Sequence, residues 1–142
     1  VKIYIAASFA DKHYMRVVRN ALMDQGHTVT SDWLDTEGDG MIPEDISGDT
    51  ARAQNGALTD MRGIRTAEWV AVFTDTPSTT GGLHVELGIG IGLKKKVVVV
   101  GPLLNVFCAL PIIEHFDNVG DFLDRTEKIQ ERRIRTDAAT SS

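Results

Sequence analysis

Two runs of apolar β-formers, Trp69-Val70-Ala71-Val72-Phe73 and Val97 to Val100, bracket the stretch TTGGLHVELGIGIGLKKK from Thr79 to Lys96. Each run has the length and residue types of a strand. Between them a glycine-rich turn leads into a helix over about Leu83 to Leu93, with Glu86 expected in its first turn. Strand, loop, helix and strand in that order are the repeating unit of an α/β fold. The loop then opens at the carboxyl ends of the strands, where open α/β sheets bind ligands. A carboxylate on that glycine-lined floor is the first candidate for a reactive group.

The rest of the chain repeats the alternation. Lys2 to Ala7, KIYIAA, reads as the central strand, and Asp11 is placed to cap the helix that follows. In that helix Tyr14, Val17, Val18, Ala21 and Leu22 recur at helical spacing, and Gly26 ends it. His27 to Leu34, HTVTSDWL, alternates and is β-branched, which predicts a second strand. A long acidic, glycine-containing connection from Asp35 to Gly48 is either a solvated loop or a lid. Asp49 or Thr50 begins a helix to about Thr66, and Glu68 to Thr74 is the third strand. Lys96 to Gly101 is the fourth, followed by a loop with a short helix near Phe107. Ile112 to Phe116 is the fifth, and a helix from Asn118 or Val119 to Glu131 turns Val119, Phe122, Leu123 and Ile129 inward. Residues 136–142 lack apolar periodicity and are expected to be a frayed or disordered tail. The expected fold is one domain over residues 1–135, a doubly wound, five-stranded parallel sheet of flavodoxin-like, Rossmann-like type.

Composition narrows the function. A chain of 142 residues with 42% hydrophobic content holds one domain with a real core. The net charge of −5 gives no basic patch for a nucleic-acid polymer. Lys94-Lys95-Lys96 stands at a helix end, where cations suit the dipole. The lone Cys108 excludes an internal disulfide and, with no activating neighbour, reads as a small buried residue. No apolar run reaches the roughly 18 to 20 residues of a membrane span. The first residues enter a strand at once, so no signal peptide and a cytoplasmic setting are expected.

Ala53, Ala57, Asp60 and Ile64 share one helix face that is apolar except for Asp60. A charge on a core-facing stripe must be paired or line a cavity. Asp60 is therefore either a structural acid bonded to Arg62 or Arg65 or the backbone, or a working one. Two acids with different surroundings suit two roles. A helix end favours an ionised Glu86, and apolar surroundings favour a protonated Asp60. That is the requirement for cleaving a bond to an anomeric carbon, with carboxyls about 5 to 5.5 Å apart in a retaining mechanism. Ser8, at a strand-to-helix handover, either caps the turn or meets an anion. Thr80 and Gly82 offer a hydroxyl and close backbone approach, and His84 either touches a ligand or caps the helix. There is no G-x-G-x-x-G after the first strand, no Walker loop and no G-x-S-x-G. His13, His27, His84 and His115 lack metal-ligand spacing, and the acids of 35–48 do not match a calcium loop.

Three segments resemble the nucleoside 2-deoxyribosyltransferase family and its relatives, the 2′-deoxynucleoside 5′-phosphate N-hydrolases. They are KIYIAASF, Asp60-x-x-x-Ile64-x-x-Ala67-x-x-Val70, and Gly82-x-x-x-Glu86-Leu87-Gly88 followed by lysines and a valine-rich strand. The resemblance implies that Glu86 is the nucleophile, that Asp60 assists departure of the base, and that Tyr4 positions the nucleophile. It implies that Thr80 contacts sugar or phosphate, and that Asn105 reaches the sugar of a neighbouring subunit. It further implies a deoxynucleoside or deoxynucleotide as partner, no cofactor, and a homodimer or higher homo-oligomer. There are departures. Ala10 stands where the hydrolases carry an arginine, leaving Lys12 or Arg16 as substitutes, and Thr80 stands where the transferases carry an aspartate. The competing reading is a non-catalytic nucleotide-sensing module on the same fold.

Overall fold

A computed structural model describes residues 1–36, 47–78 and 80–141. The strands are β1 (Lys2–Ala6), β2 (Thr28–Val29), β3 (Trp69–Phe73), β4 (Lys96–Val100) and β5 (Glu114–Phe116). The helices are α1 (Lys12–Asp24), α2 (Thr50–Thr66), α3 (Gly82–Gly92) and α4 (Val119–Ser141). All strand pairs are parallel, in the order β2-β1-β3-β4-β5. This is the doubly wound, flavodoxin-like order expected from the alternating pattern. Tyr4 stands opposite Val70 in β3, and Val72 stands opposite Val99 in β4.

Helix α1 packs with α4, and α2 packs with α3. The central strands are therefore covered on both faces, which is why β1, β3 and β4 read as continuous apolar runs. Ile3, Tyr4, Ile5, Val70, Val72 and Val97 to Val100 are buried. On the α4 side Phe122 closes the core, edge-on to Phe73 and Phe116. Among the described residues no helix is long and apolar enough to cross a membrane.

Several expectations are corrected. The predicted strand over His27 to Leu34 is only Thr28–Val29, followed by a 3-10 turn over Asp32–Asp35. Side chains of this segment take over from the ladder. Ser31 Oγ accepts from the Ile5 amide, and Trp33 Nε1 donates to the Ile5 carbonyl at 2.8 Å. Asp11 makes no capping bond; its Oδ1 accepts from Thr76 Oγ1 at 2.8 Å. Tyr14 and Val17 lie on the solvent side of α1, whereas Lys12, Met15, Val18 and Leu22 face in. The Lys12 ammonium donates to the carbonyl and hydroxyl of Thr36 at 2.6 and 2.7 Å, which allows its stem to be buried. Ala57 is exposed, so the expected apolar stripe on α2 is buried only near its C-terminal end, at Gly63 and Ile64. Ile112 is exposed in the turn before β5, and α4 continues past Glu131 to Ser141, with 131–140 exposed. A lid over Asp35 to Gly48 falls mostly on residues 37–46, and the glycine-rich stretch begins at Thr79; residues 37–46 and Thr79 lie outside the described residues.

The lysine triplet does terminate α3. Lys94 adopts φ 59, its amide bonds the Ile91 carbonyl, and the Lys95 amide bonds the Gly90 carbonyl. Lys95 Nζ then donates to the Arg65 carbonyl at 2.7 Å, and Lys96 pairs with Glu114 at 2.9 Å. Cys108 is buried, as expected.

Candidate active site

Alternation along β1 sends the Tyr4 side chain to the face covered by α2 and α3. It is wholly buried there, against the backbone of α2 at Gly63. Asp60 comes from α2 and Glu86 from α3, and both carboxyls lie close enough to the Tyr4 hydroxyl to shift its ionisation. Three side chains from three elements thus converge in one half-buried cluster. The Tyr4 hydroxyl and Glu86 Oε2 are both buried, and neither makes an aligned hydrogen bond. Buried polar atoms are normally satisfied, and an orphan costs about 1 to 3 kcal/mol.

Electrostatics follow from that burial. Burial pushes the Glu86 carboxyl up to about 8; the Tyr4 hydroxyl opposes this and the Asp60 charge adds to it. Burial also pushes Asp60 up to about 6, opposed by Tyr4 and reinforced by the charge of Asp32. Tyr4 is held far above the usual phenol range by burial, then by the charges of Glu86 and Asp60. These values correct the expectation of an ionised Glu86. Gly81, at φ 78, caps α3, and Gly82 is its first residue. Glu86 therefore lies beyond the first turn, where the free amides and the dipole no longer reach it. Asp60 has no ion pair with Arg62 or Arg65 among the described residues.

The remaining candidates stand around the carboxyl ends of the strands. Ser8 follows β1 and its Oγ accepts from the Ala10 amide at 3.3 Å, the capping alternative of its two readings. Thr80 and Gly82 are exposed at the start of α3. His84 belongs to a second locus: its Nδ1 lies 3.2 Å from Asn105 Nδ2, while Asn105 Oδ1 accepts from the Phe107 amide at 3.0 Å. Both ends of the Asn105 amide are thus engaged within the chain. Arg16 Nε donates to the Leu34 carbonyl at 2.6 Å, so Arg16 and Lys12 both hold the segment around the Asp32–Asp35 turn. Among the described residues no group of three or more His, Cys, Asp or Glu could hold a metal ion.

Asp32 was not a sequence candidate. It sits inside the apparent strand HTVTSDWL, and only the 3-10 turn brings its charge to bear on Asp60.

No protein-family model matches the chain, and no curated protein matches it in sequence. Solved structures do match. A 2-deoxyribosyltransferase of Bacillus psychrosaccharolyticus aligns over 87% of this chain and 90% of its own, at 24% identity and a TM-score of 0.65. The CMP N-glycosidase BcmB of Clostridium botulinum aligns over 88% of this chain and 97% of its own, at 13% identity and a TM-score of 0.57. The chain therefore has the nucleoside deoxyribosyltransferase-like fold, shared here with a 2-deoxyribosyltransferase and a nucleotide N-glycosidase.

Proposed function

We propose that the protein cleaves the N-glycosidic bond of 2′-deoxynucleosides or their 5′-monophosphates through a deoxyribosyl-Glu86 intermediate. The observation that carries this reading is the convergence of two carboxyls, both raised by burial, on one buried tyrosine hydroxyl. A fold that needed only stability would more readily fill this volume with apolar side chains, and perturbed polar clusters are enriched at working sites. Between about 6 and about 8 the pair holds one proton and one negative charge. In the reactive form the proton sits on Asp60 and the charge on Glu86. Positive charge developing at C1′ beside Glu86 favours that arrangement.

In the first step a Glu86 oxygen bonds to C1′ while the bond from C1′ to the base nitrogen breaks. The released electron pair stays on the base, which takes the Asp60 proton. In the second step the Asp60 carboxylate removes a proton from water or from an incoming base nitrogen. That nucleophile bonds to C1′, and the Glu86 ester opens. The Tyr4 hydroxyl donates to Glu86 while it is ionised and holds its orientation. In this reading Ser8, Thr80 and Gly82 contact sugar, phosphate or base at the strand ends, and His84 with Asn105 supplies a second contact.

Incubation with deoxynucleosides and their monophosphates, with and without an acceptor base, tests the reading. Free base alone identifies a hydrolase, and exchanged base a transferase. Binding without turnover on every substrate removes the proposal in favour of a nucleotide-sensing module.

A homo-oligomer, at least a dimer, belongs to the same proposal. On the outer face of α3, Val85 is 62% exposed, and Gly88 and Gly92 have nothing within 4 Å of an added Cβ. The adjacent connection exposes Val106 and Phe107. Inside one subunit those two helix glycines cost about 1 kcal/mol each relative to alanine with no packing return. Light scattering at working concentration should give a dimer or larger; a monomer would overturn this part.

A further inference from the structure

Asp60 and Glu86 stand on different helices, so their separation depends on how α2 and α3 lie on the sheet. Each helix carries a buried glycine about one turn past its acid, Gly63 after Asp60 and Gly90 after Glu86. A Cβ at Gly63 would lie 2.7 Å from the Thr30 carbonyl oxygen and 2.9 and 3.0 Å from the Tyr4 ring. Neither neighbour can yield. The Thr30 amide is tied to the Ile3 carbonyl at 2.9 Å, its hydroxyl donates to the Gly63 carbonyl at 2.7 Å, and the Tyr4 ring is locked in the core. A Cβ at Gly90 would lie 3.0 Å from Val70 Cγ2 and 3.3 Å from Val97 Cγ2, where a methyl group can shift slightly. Both glycines have ordinary helical backbone, and a helix interior favours alanine. Close approach is therefore what the two positions require.

We propose that Gly63 and Gly90 are the positioning residues of the acid pair. The bare Cα of Gly63 seats α2 directly on the Tyr4 ring and so sets the Asp60 carboxyl against the Tyr4 hydroxyl. Gly90 seats α3 on Val70 and Val97 and so sets the depth of Glu86. The spacing of the pair, and with it the exclusion of water between the acids, is built from two missing methyl groups. This inference rests on the glycosidic reading only for its kinetic readout.

The test compares Gly63→Ala and Gly90→Ala with Phe122→Leu, a core change on the opposite face of the sheet. Asp60 and Glu86 are titrated individually by carboxyl carbon NMR in the full chain, and kcat and KM are measured with the best substrate found. In Gly63→Ala the helix must move outward and admit water. Both midpoints should then fall toward the ordinary carboxylate range, by on the order of one pH unit. The value of kcat should fall by roughly tenfold to a hundredfold, with KM much less affected. Gly90→Ala should shift Glu86 in the same direction by less. Phe122→Leu should lower the melting temperature and leave both midpoints in place. A folded Gly63→Ala with unmoved midpoints overturns the proposal, as does Phe122→Leu moving them equally. Should Gly63→Ala fail to fold, an unmoved Glu86 midpoint in Gly90→Ala overturns it. If the wild-type chain turns over no deoxynucleotide, the functional reading fails while the titrations still decide the spacing.

Discussion

Glu86→Gln should release no base above background, by at least about 10⁴-fold relative to wild type, and should melt at a higher temperature above pH 8. The two effects share one cause. Glutamine keeps the shape of the side chain but offers no carboxylate to bond with C1′. Stability changes because the wild-type carboxyl titrates at about 8 in the fold and at its ordinary 4.5 when unfolded. Between those values the folded state holds a proton that the unfolded chain has released. The stabilisation is therefore complete below about 4.5 and is lost as pH rises through about 8. Glutamine removes that dependence. Its advantage should be absent at pH 4, grow from there, and level off above 8 at on the order of 2 to 4 kcal/mol. That corresponds to roughly 5 °C or more in melting temperature. Calorimetry across pH, alongside base release, checks both halves. A variant as active as wild type, or one whose stability tracks the wild type at every pH, contradicts the placement of Glu86 as a buried nucleophile.

The sheet was legible because β3 and β4 are covered on both faces, so valine after valine appears in the sequence wherever the chain crosses the core. The extent of β2 was not legible, for a related reason. Its apparent alternation, HTVTSDWL, comes from side chains that replace ladder bonds: Ser31 accepting from Ile5 and Trp33 donating to it. Periodicity records which residues are buried, not which backbone groups pair. The same limit misplaced the face of α1, where a buried Lys12 sits inside and Tyr14 and Val17 stay outside. A lysine whose ammonium is held by Thr36 is invisible to a hydrophobic pattern.

At the site, Asp60 was legible as a charge on a face that also carries Ile64. Glu86 was legible beside its glycine loop. The proton affinity of Asp60 was legible too, from its apolar surroundings, but the ionisation of Glu86 was not, because it depends on helix phase and burial together. One residue of difference in where Gly81 caps α3 decides whether the dipole reaches Glu86, and the sequence places helix ends no better than that. The role of Gly63 was hidden as well. A helix-interior glycine carries no sign of what touches it, and here the contacts are a carbonyl oxygen and an aromatic ring from two other elements.

Asp60→Asn should slow cleavage of natural substrates by roughly 10² to 10⁴-fold while sparing a substrate whose leaving group needs no proton. A purine or pyrimidine departs as an anion unless protonated, whereas a deoxyriboside of nitrophenol leaves readily as its anion. The contrast between the two substrates isolates proton donation from attack, because both require Glu86. The pH profile supplies a second signature. In the wild type, kcat/KM should form a bell with limbs near about 6 and about 8, the apparent values of the coupled pair. The acidic limb marks loss of the negative charge that attacks C1′, and the alkaline limb marks loss of the proton that the base needs. With asparagine at position 60 there is no proton to lose, so the alkaline limb should vanish. The acidic limb should remain and now report Glu86 alone, moving up from about 6 while staying short of about 8. Burial, the main cause of the Glu86 shift, persists and holds the limb above about 6; one like charge beside Glu86 has gone and the Tyr4 hydroxyl is left to Glu86 alone, which keeps the limb below about 8. Equal slowing of both substrates with an unchanged bell would show that Asp60 holds the helix in place rather than carrying the proton. Glu86 would then need another acid, and Asp32, whose charge already reaches Asp60, would be the next residue to replace.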